Sequence, residues 1–292
     1  MKRTVITSFA AVVLAFMAGC ISVNSNGGNT VTFGRDKTIV GNGIPGEKEI
    51  GKMDFQGINV RGAIDVFIAD AADAPVKVAG DRNLLDSVDV YVTDGILNVH
   101  FRKNFGYTTK LGLRVTVPNN GKINSVSCSG SSDVTVEGCL VSDYTVEVLA
   151  SGSSDFKGNI KALNCDLRFN GSSDFKGNVE AVNCDFRFSG SSDFKGNVEA
   201  KNCTIDCSGS SDFTVSGKSD VCEISMRGSS DFKGFDFAVN KLKSSSSGSS
   251  DIQVTCNEEL KVSASGSSDV YYKGNAIVSE KHLSGSSDLR QR

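Results

Sequence analysis

"FNGSSDFKGNVEAVNCDFRFSGSSDFKGNVEA", residues Phe169–Ala200, says nearly the same thing twice, 19 residues apart. The tetrad Gly-Ser-Ser-Asp that marks each copy recurs at Gly130, Gly152, Gly171, Gly190, Gly209, Gly228, Gly248, Gly266 and Gly285. Successive spacings are 22, 19, 19, 19, 19, 20, 18 and 19 residues. A sustained period near twenty is the signature of a solenoid, in which each turn buries its apolar residues only against its neighbours. Leucine is too sparse for leucine-rich repeats, and the period differs from that of the calcium-binding nonapeptides.

Within the period, apolar residues fall into columns. Phe156, Phe175, Phe194, Phe213 and Phe232 stand four residues after their glycines, with Val, Ile or Leu in the other copies. Cys165, Cys184, Cys203 and Cys222 stand thirteen after theirs, and Leu167, Phe186 and Ile205 two further on. Asp, Lys, Asn, Glu and Arg lie between, which is the period-two pattern of strands with one face in and one out. The three prolines all precede the repeats, as strands that donate every N–H to a ladder require. The expected fold is all-β: a right-handed parallel β-helix with ~19-residue GSSD turns, preceded by a less regular β-strand region. Arg290 and Arg292 are placed to blunt the last edge.

The tetrad has a structural and a functional reading. Gly permits backbone conformations closed to other residues, and Ser and Asp bond nearby backbone N–H groups, so GSSD reads first as a corner. A catalytic constellation would occur once, not nine times. Yet stacking places Asp133, Asp155, Asp174, Asp193, Asp212, Asp231, Asp251, Asp269 and Asp288 in a row. Neighbouring charges ~4.8 Å apart repel by about 0.9 kcal/mol in water and about 3.5 kcal/mol at an effective dielectric of 20. Three compensations are open: Lys157, Lys176, Lys195 and Lys233 two residues on; turn N–H groups; or a bound cation such as Ca2+; separately, the row is a candidate ligand-contacting face. Asn164, Asn183 and Asn202 read as an Asn ladder at a second corner, and Asp166, Asp185, Arg168 and Arg187 as a solvated, mixed-charge face.

In-register Cβ atoms ~4.8 Å apart exceed the ~3.8 Å of a disulfide, so the Cys165 to Cys222 column reads as buried thiols and not as bridges or a metal site. Cys128 and Cys207 share another column four turns apart, and Cys139 and Cys256 are not assigned. His100 and His282 are far apart and lack a nucleophile motif.

The chain opens "MKRTVITSFAAVVLAFMAGC". A basic start, a short apolar run and small residues before a cysteine mark residues 1–19 as a lipoprotein signal peptide, with lipidation expected at Cys20. Several acyl chains suffice for stable anchoring. Ile21, and not Asp, after Cys20 points toward the outer membrane. Removing Lys2 and Arg3 leaves 29 basic against 34 acidic residues, a net charge of −5, with no basic tract for nucleic acid. Residues 20–50 read as a tether and lead-in. Residues 51–127 read as an N-terminal β region, with alternation at Ile64, Val66 and Ile68, at Val88, Val90 and Val92, and at Leu111, Leu113, Val115 and Val117. Residues 128–292 form the repeat region. No helix of ten residues is expected after the signal.

"FQGINVRGAIDV" (residues 55–66), "DRNLL" (81–85) and "DGILNV" (94–99) together resemble the head GIN domain family of putative auto-transporter adhesins, with Gly57, Ile58 and Asn59 as the naming triplet. The repeated SGSSD turns are similar to that family's C-terminal part. The resemblance implies an all-β, β-helix-like cell-envelope protein and supplies no catalytic residues. The leading functional expectation is therefore a lipid-anchored binding surface, adhesin-like, toward glycans or surface proteins. The alternatives are a structural or assembly role in the envelope without a specific ligand and, by fold analogy alone, a polysaccharide-active enzyme, which would need paired carboxylates that the columns do not offer.

Overall fold

The computed structural model describes residues 37–102 and 105–292; the signal, Cys20 and the first part of the expected tether lie outside them. Among the described residues there is no α-helix, only the single 3-10 turn Leu85–Ser87, and no helix long and apolar enough to cross a membrane. From Ser125 onward parallel pairing runs turn on turn: Asp166 opposes Asp185, Leu167 opposes Phe186, and Gly171 opposes Gly190. The fold is a β-solenoid, as the period predicts.

Each turn carries two inward runs. In the turn opened by Gly152, Phe156, Gly158 and Ile160 point in along a first flank. The phase then slips past Leu163 and Asn164, and Cys165, Leu167 and Phe169 point in along a second flank. The Phe column forms a continuous stack, with ring centroids 5.5, 5.1, 4.2 and 5.6 Å apart from Phe156 to Phe232 and ring planes within 9°. Phe169 and Phe188 stack at 4.9 Å on the second flank and meet the first column edge-on. Such pairs add to the burial of large apolar surface.

The N-terminal region joins this sheet. Strand Gly57–Gly62 pairs parallel with Ser125–Gly130 on one side and Ile96–Phe101 on the other. Strand Asp65–Ala69 likewise lies between Val134–Val136 and Leu113–Pro118. Residues 57–69 are thus a further turn, and residues 96–118 supply strands on its far side, so stacking order departs from chain order. Antiparallel strands Val88–Thr93, Val76–Asp81 and Pro45–Gly51 then cover that end. Strand Lys37–Val40 pairs with Phe105–Thr108. Residues 37–40 and 45–50, expected as tether, are therefore strand. Leu111, expected on an inward face, is 49% exposed and precedes strand Leu113–Pro118.

The quoted N-terminal motifs have structural roles. "GIN" and "ILN" pair residue for residue, Gly57 with Ile96, Ile58 with Leu97 and Asn59 with Asn98; the two Asn side chains bond at 3.1 Å and Ile58 is buried. Asp81 of "DRNLL" is buried and accepts from Gly43 N, Thr109 Oγ1, Lys110 N and Leu111 N at 2.6 to 3.2 Å. The Thr109 hydroxyl, with these backbone donors, holds its pKa down at about 2 against the cost of burial.

Candidate functional site

The tetrad is a corner, and every position in it is bonded. Gly130 to Gly285 all have positive φ, and a Cβ on any of them would lie within 2.6 Å of the preceding turn's glycine carbonyl oxygen. That close approach, as well as the conformation, excludes side chains. The first Ser donates its N–H to the same carbonyl, as Ser172 does to Gly152 at 2.8 Å. The second Ser is fully buried in every copy but the last and donates its N–H to the Oγ of the next turn's Ser, as Ser173 does to Ser192 at 3.2 Å. The Asp N–H runs the other way, to Oδ1 of the preceding turn's Asp, as Asp193 does to Asp174 at 3.0 Å. Both ladders are unbroken through all nine copies. They extend one turn earlier: Asp65 Oδ1 accepts from Asp133 N, and Ile64 N donates to Ser132 Oγ. "GAID", Gly62–Asp65, is a tenth corner, with Ala63 and Ile64 in place of the two serines.

Turn N–H groups are therefore the compensation for the Asp row. The lysine expectation is corrected in part: among the described residues only Lys233 comes within 4 Å of the row, at Asp212 and Asp231, while Lys157, Lys176 and Lys195 form no ion pair. Tyr271 and Arg290 reach Asp269 and Asp288 through Oδ2, and Arg290 lowers the Asp288 pKa. Asp133 and Asp174 are pushed up, mainly by burial, which the N–H bond from the next turn opposes. Among the described residues no cluster of His, Cys, Asp or Glu is arranged to hold a metal.

The other columns fall as follows. Asn202 and Asn183 donate side-chain N–H bonds down a ladder to Asn164 at 2.9 and 2.8 Å. Arg168 and Arg187 bond Asp166 and Asp185 at 2.6 Å, but this face is not wholly solvated: stacking shields Asp166 Oδ1, Asp185 Oδ1 and Arg168 Nε, which lack partners. Burial raises the Asp166 pKa accordingly. Cys165, Cys184, Cys203 and Cys222 are buried free thiols, as are Cys128, Cys207 and Cys256, while Cys139 is half-buried. Burial pushes the Cys128 thiol up to about 12, so it is not poised as a thiolate. His100 contacts Tyr91 and the Phe101 carbonyl.

A groove of about 480 Å³ lies elsewhere, on the outer side of the second flank in the upper turns. Asp206, Ser225, Ser245, Ser263 and His282 succeed one another along its length in strand register. Beside them runs the column Glu223, Lys243, Lys261 and Glu280, closed into ion pairs Lys243–Glu223 (2.7 Å) and Lys261–Glu280 (2.9 Å). Arg227 pairs with Asp206 at 2.8 Å. Beneath lies the smallest inward triplet of the stack, Leu242, Ser244 and Ser246. The sequence signal was the run "KSSSSG", in which every other Ser faces out.

Solenoid and motifs define a class of repeat-built, all-β scaffold, and comparison with known proteins makes this specific. The family described as "Putative auto-transporter adhesin, head GIN domain" matches residues 54–196 and again 175–276, and the chain belongs to that family. Among solved structures, a putative adhesin from Parabacteroides merdae is 21% identical with a TM-score of 0.67, covering 88% of this chain and 99% of its own. A putative adhesin from Parabacteroides distasonis is 25% identical with a TM-score of 0.66, covering 87% and 100%. A protein from the same organism described as a putative lipid binding protein is 20% identical with a TM-score of 0.64, covering 88% and 100%. No curated protein matches the chain. The family and these neighbours carry the description adhesin or lipid binding protein, not that of an enzyme.

Proposed function

We propose that this is a cell-envelope lipoprotein, anchored through Cys20 in the outer membrane, whose solenoid presents a binding surface in an adhesin-like role toward glycans or surface proteins. The observation that carries this reading is a division of labour within each turn. The corner is satisfied internally in every copy, whereas the outward columns of the second flank change composition along the rod and hollow into a groove. Family membership supports the adhesin-like role. The outward Oδ2 atoms of the Asp row are a second candidate surface, for a cation or a polar ligand.

A structural role without a ligand is the competing reading, favoured by the complete use of the tetrad in holding the stack. The test is binding of the chain from residue 21 onward to polysaccharides, mucins and matrix proteins, with and without Ca2+. Saturable binding to one class is the expected result. No binding to any of them moves the assignment to the structural role.

A further inference from the structure

We propose that the second-flank groove is a binding site for a short stretch of neutral saccharide; this rests on the reading of the solenoid as a binding module. Three observations point to that chemistry. First, the floor is a line of hydroxyls. Ser225, Ser245 and Ser263 stand in register on adjacent turns, and among the described residues their Oγ atoms bond no protein group. They span two turn spacings, about 10 Å, the scale of two or three linked sugars. Each hydroxyl can donate and accept, which suits a ligand whose own groups do both.

Second, the charged groups around the floor are matched. Lys243, Lys261 and Arg227 are each held by an acid, Glu223, Glu280 and Asp206 respectively. The lining therefore offers fixed donors and acceptors on both sides without a net field for a phosphate, sulfate or metal ion. An anionic ligand would have to break these pairs, whereas a neutral polyol can bond to their free edges. His282, exposed at the upper end, adds a planar ring with a further polar group. Third, the site is concave and its volume lies in the range of ligand sites, ~300–1,000 Å³, whereas the hollows beside Lys161 and beside Lys241 hold only about 250 and 280 Å³. The hollow sits where small Ser side chains replace the Asp and Arg that fill the same columns lower down.

The experiment is saturation-transfer NMR and calorimetry on the chain from residue 21 onward, with maltotriose, mannotriose and N-acetyllactosamine oligomers as neutral probes and heparin and polygalacturonate fragments as anionic ones. Three variants accompany it. Ser245→Tyr fills the groove with a residue that strands accept. The triple change of Ser225, Ser245 and Ser263 to Ala removes the hydroxyls without blocking the space. Thr214→Tyr places the same bulk on the first flank. The expected result is saturable binding of at least one neutral probe, weakened tenfold or more by Ser245→Tyr and by the triple Ala variant and unchanged by Thr214→Tyr, with melting curves that confirm folding. Neutral binding that survives Ser245→Tyr overturns the proposal, as does binding confined to the anionic probes. Failure of every saccharide also overturns it; binding to mucin polypeptide or a matrix protein would then leave the binding-module reading standing, and the loss of all ligands would sink both.

Discussion

The turns from Gly152 to Gly209 and those from Gly228 to Gly285 share one corner and differ in almost everything else. In the lower set the spacing is 19 throughout, the Cys and first-flank Phe columns stack like on like, and Asn does so through Asn202, while Asp166, Arg168 and Phe169 face Asp185, Arg187 and Phe188. In the upper set the spacing becomes 20, 18 and 19, the register slips at Gly234 and Val239, and the inward Ile224 and Met226 of the second flank give way to Ser244 and Ser246. The corner does not notice: Gly190 and Gly248 have φ of 87° and 89°, and the Ser and Asp ladders pass through both sets. The lesson is that the tetrad fixes the rise of the coil through backbone contacts, while the flanks are free to change core volume and surface chemistry. Repetition belongs to the scaffold, and departure from it is where a site can form.

The largest test of the shared corner is Gly190→Ala. Its Cβ would meet the Gly171 carbonyl oxygen at 2.5 Å in a left-handed conformation, and the atoms it would meet are backbone that cannot swing away. The expected cost is about 4 kcal/mol or more, up to failure to fold. Gly112 has φ of +79° with nothing within 4 Å of a Cβ, so Gly112→Ala should cost only about 1–2 kcal/mol. Urea unfolding of the two variants measures the difference; equal costs would mean that conformation alone, and not the close approach of turns, selects glycine. Next in size is Phe188→Ala in the lower set, where the ring stacks on Phe169 and meets Phe194 and Phe213 edge-on. A loss of about 3–5 kcal/mol is expected, read by the same unfolding curves.

Two carboxylates sharpen the contrast between the N-terminal end and the stack through acid. Asp81 has its pKa lowered to about 2, so the stability it contributes is full above its ordinary value of 3.8 and is lost as pH falls through 2. Asp174 has its pKa raised by burial, so its unfavourable contribution is full at neutral pH and is relieved as pH falls through the raised value. Asp81→Asn should lower the melting temperature at pH 7 and flatten the slope of melting temperature against pH between 4 and 2. Asp174→Asn, which keeps an oxygen for the Asp193 N–H, should leave the neutral melting temperature unchanged or slightly raised. Melts from pH 2 to 7 decide both, and a drop at pH 7 for Asp174→Asn would show that the charge itself holds the ladder.

Much of this was legible in the sequence because a solenoid writes each contact as a period. The Phe and Cys columns, the Asn164 ladder and the corner role of GSSD follow from spacing and side-chain chemistry alone. The tenth corner was not legible, because Ala63 and Ile64 replace both serines and only Gly62 and Asp65 keep their places. Nor was the order of the first turns, since residues 96–118 stack on the far side of 57–69 and no local pattern records that return. The lysines beside the Asp row were misjudged because like spacing does not report reach: Lys157, Lys176 and Lys195 stand at the same offset as Lys233, yet of the four only Lys233 closes an ion pair with the row. The groove was missed because it is a relation among columns, hollow only where short outward side chains coincide with a thin core.

That thin core gives the smallest prediction and the one that bears most directly on the comparison. Ser246 stands in the column occupied by Phe169, Phe188, Cys207 and Met226 in lower turns, and its Oγ is buried without a hydrogen-bond partner. Its neighbour Ser244 at least donates to the Lys261 carbonyl. A buried unpaired hydroxyl costs about 1–3 kcal/mol, so Ser246→Ala should stabilise the protein by about 1 kcal/mol, seen as a higher urea midpoint at unchanged slope. The same change should leave saccharide binding in the groove untouched, because Ser246 points into the core and away from the Ser245 floor. A gain in stability with binding intact would show that the upper turns carry a packing defect separable from the surface above it. A loss of binding would mean instead that the small inward residues hold the groove open, and that the departure from regularity in the core and the hollow in the flank are one feature.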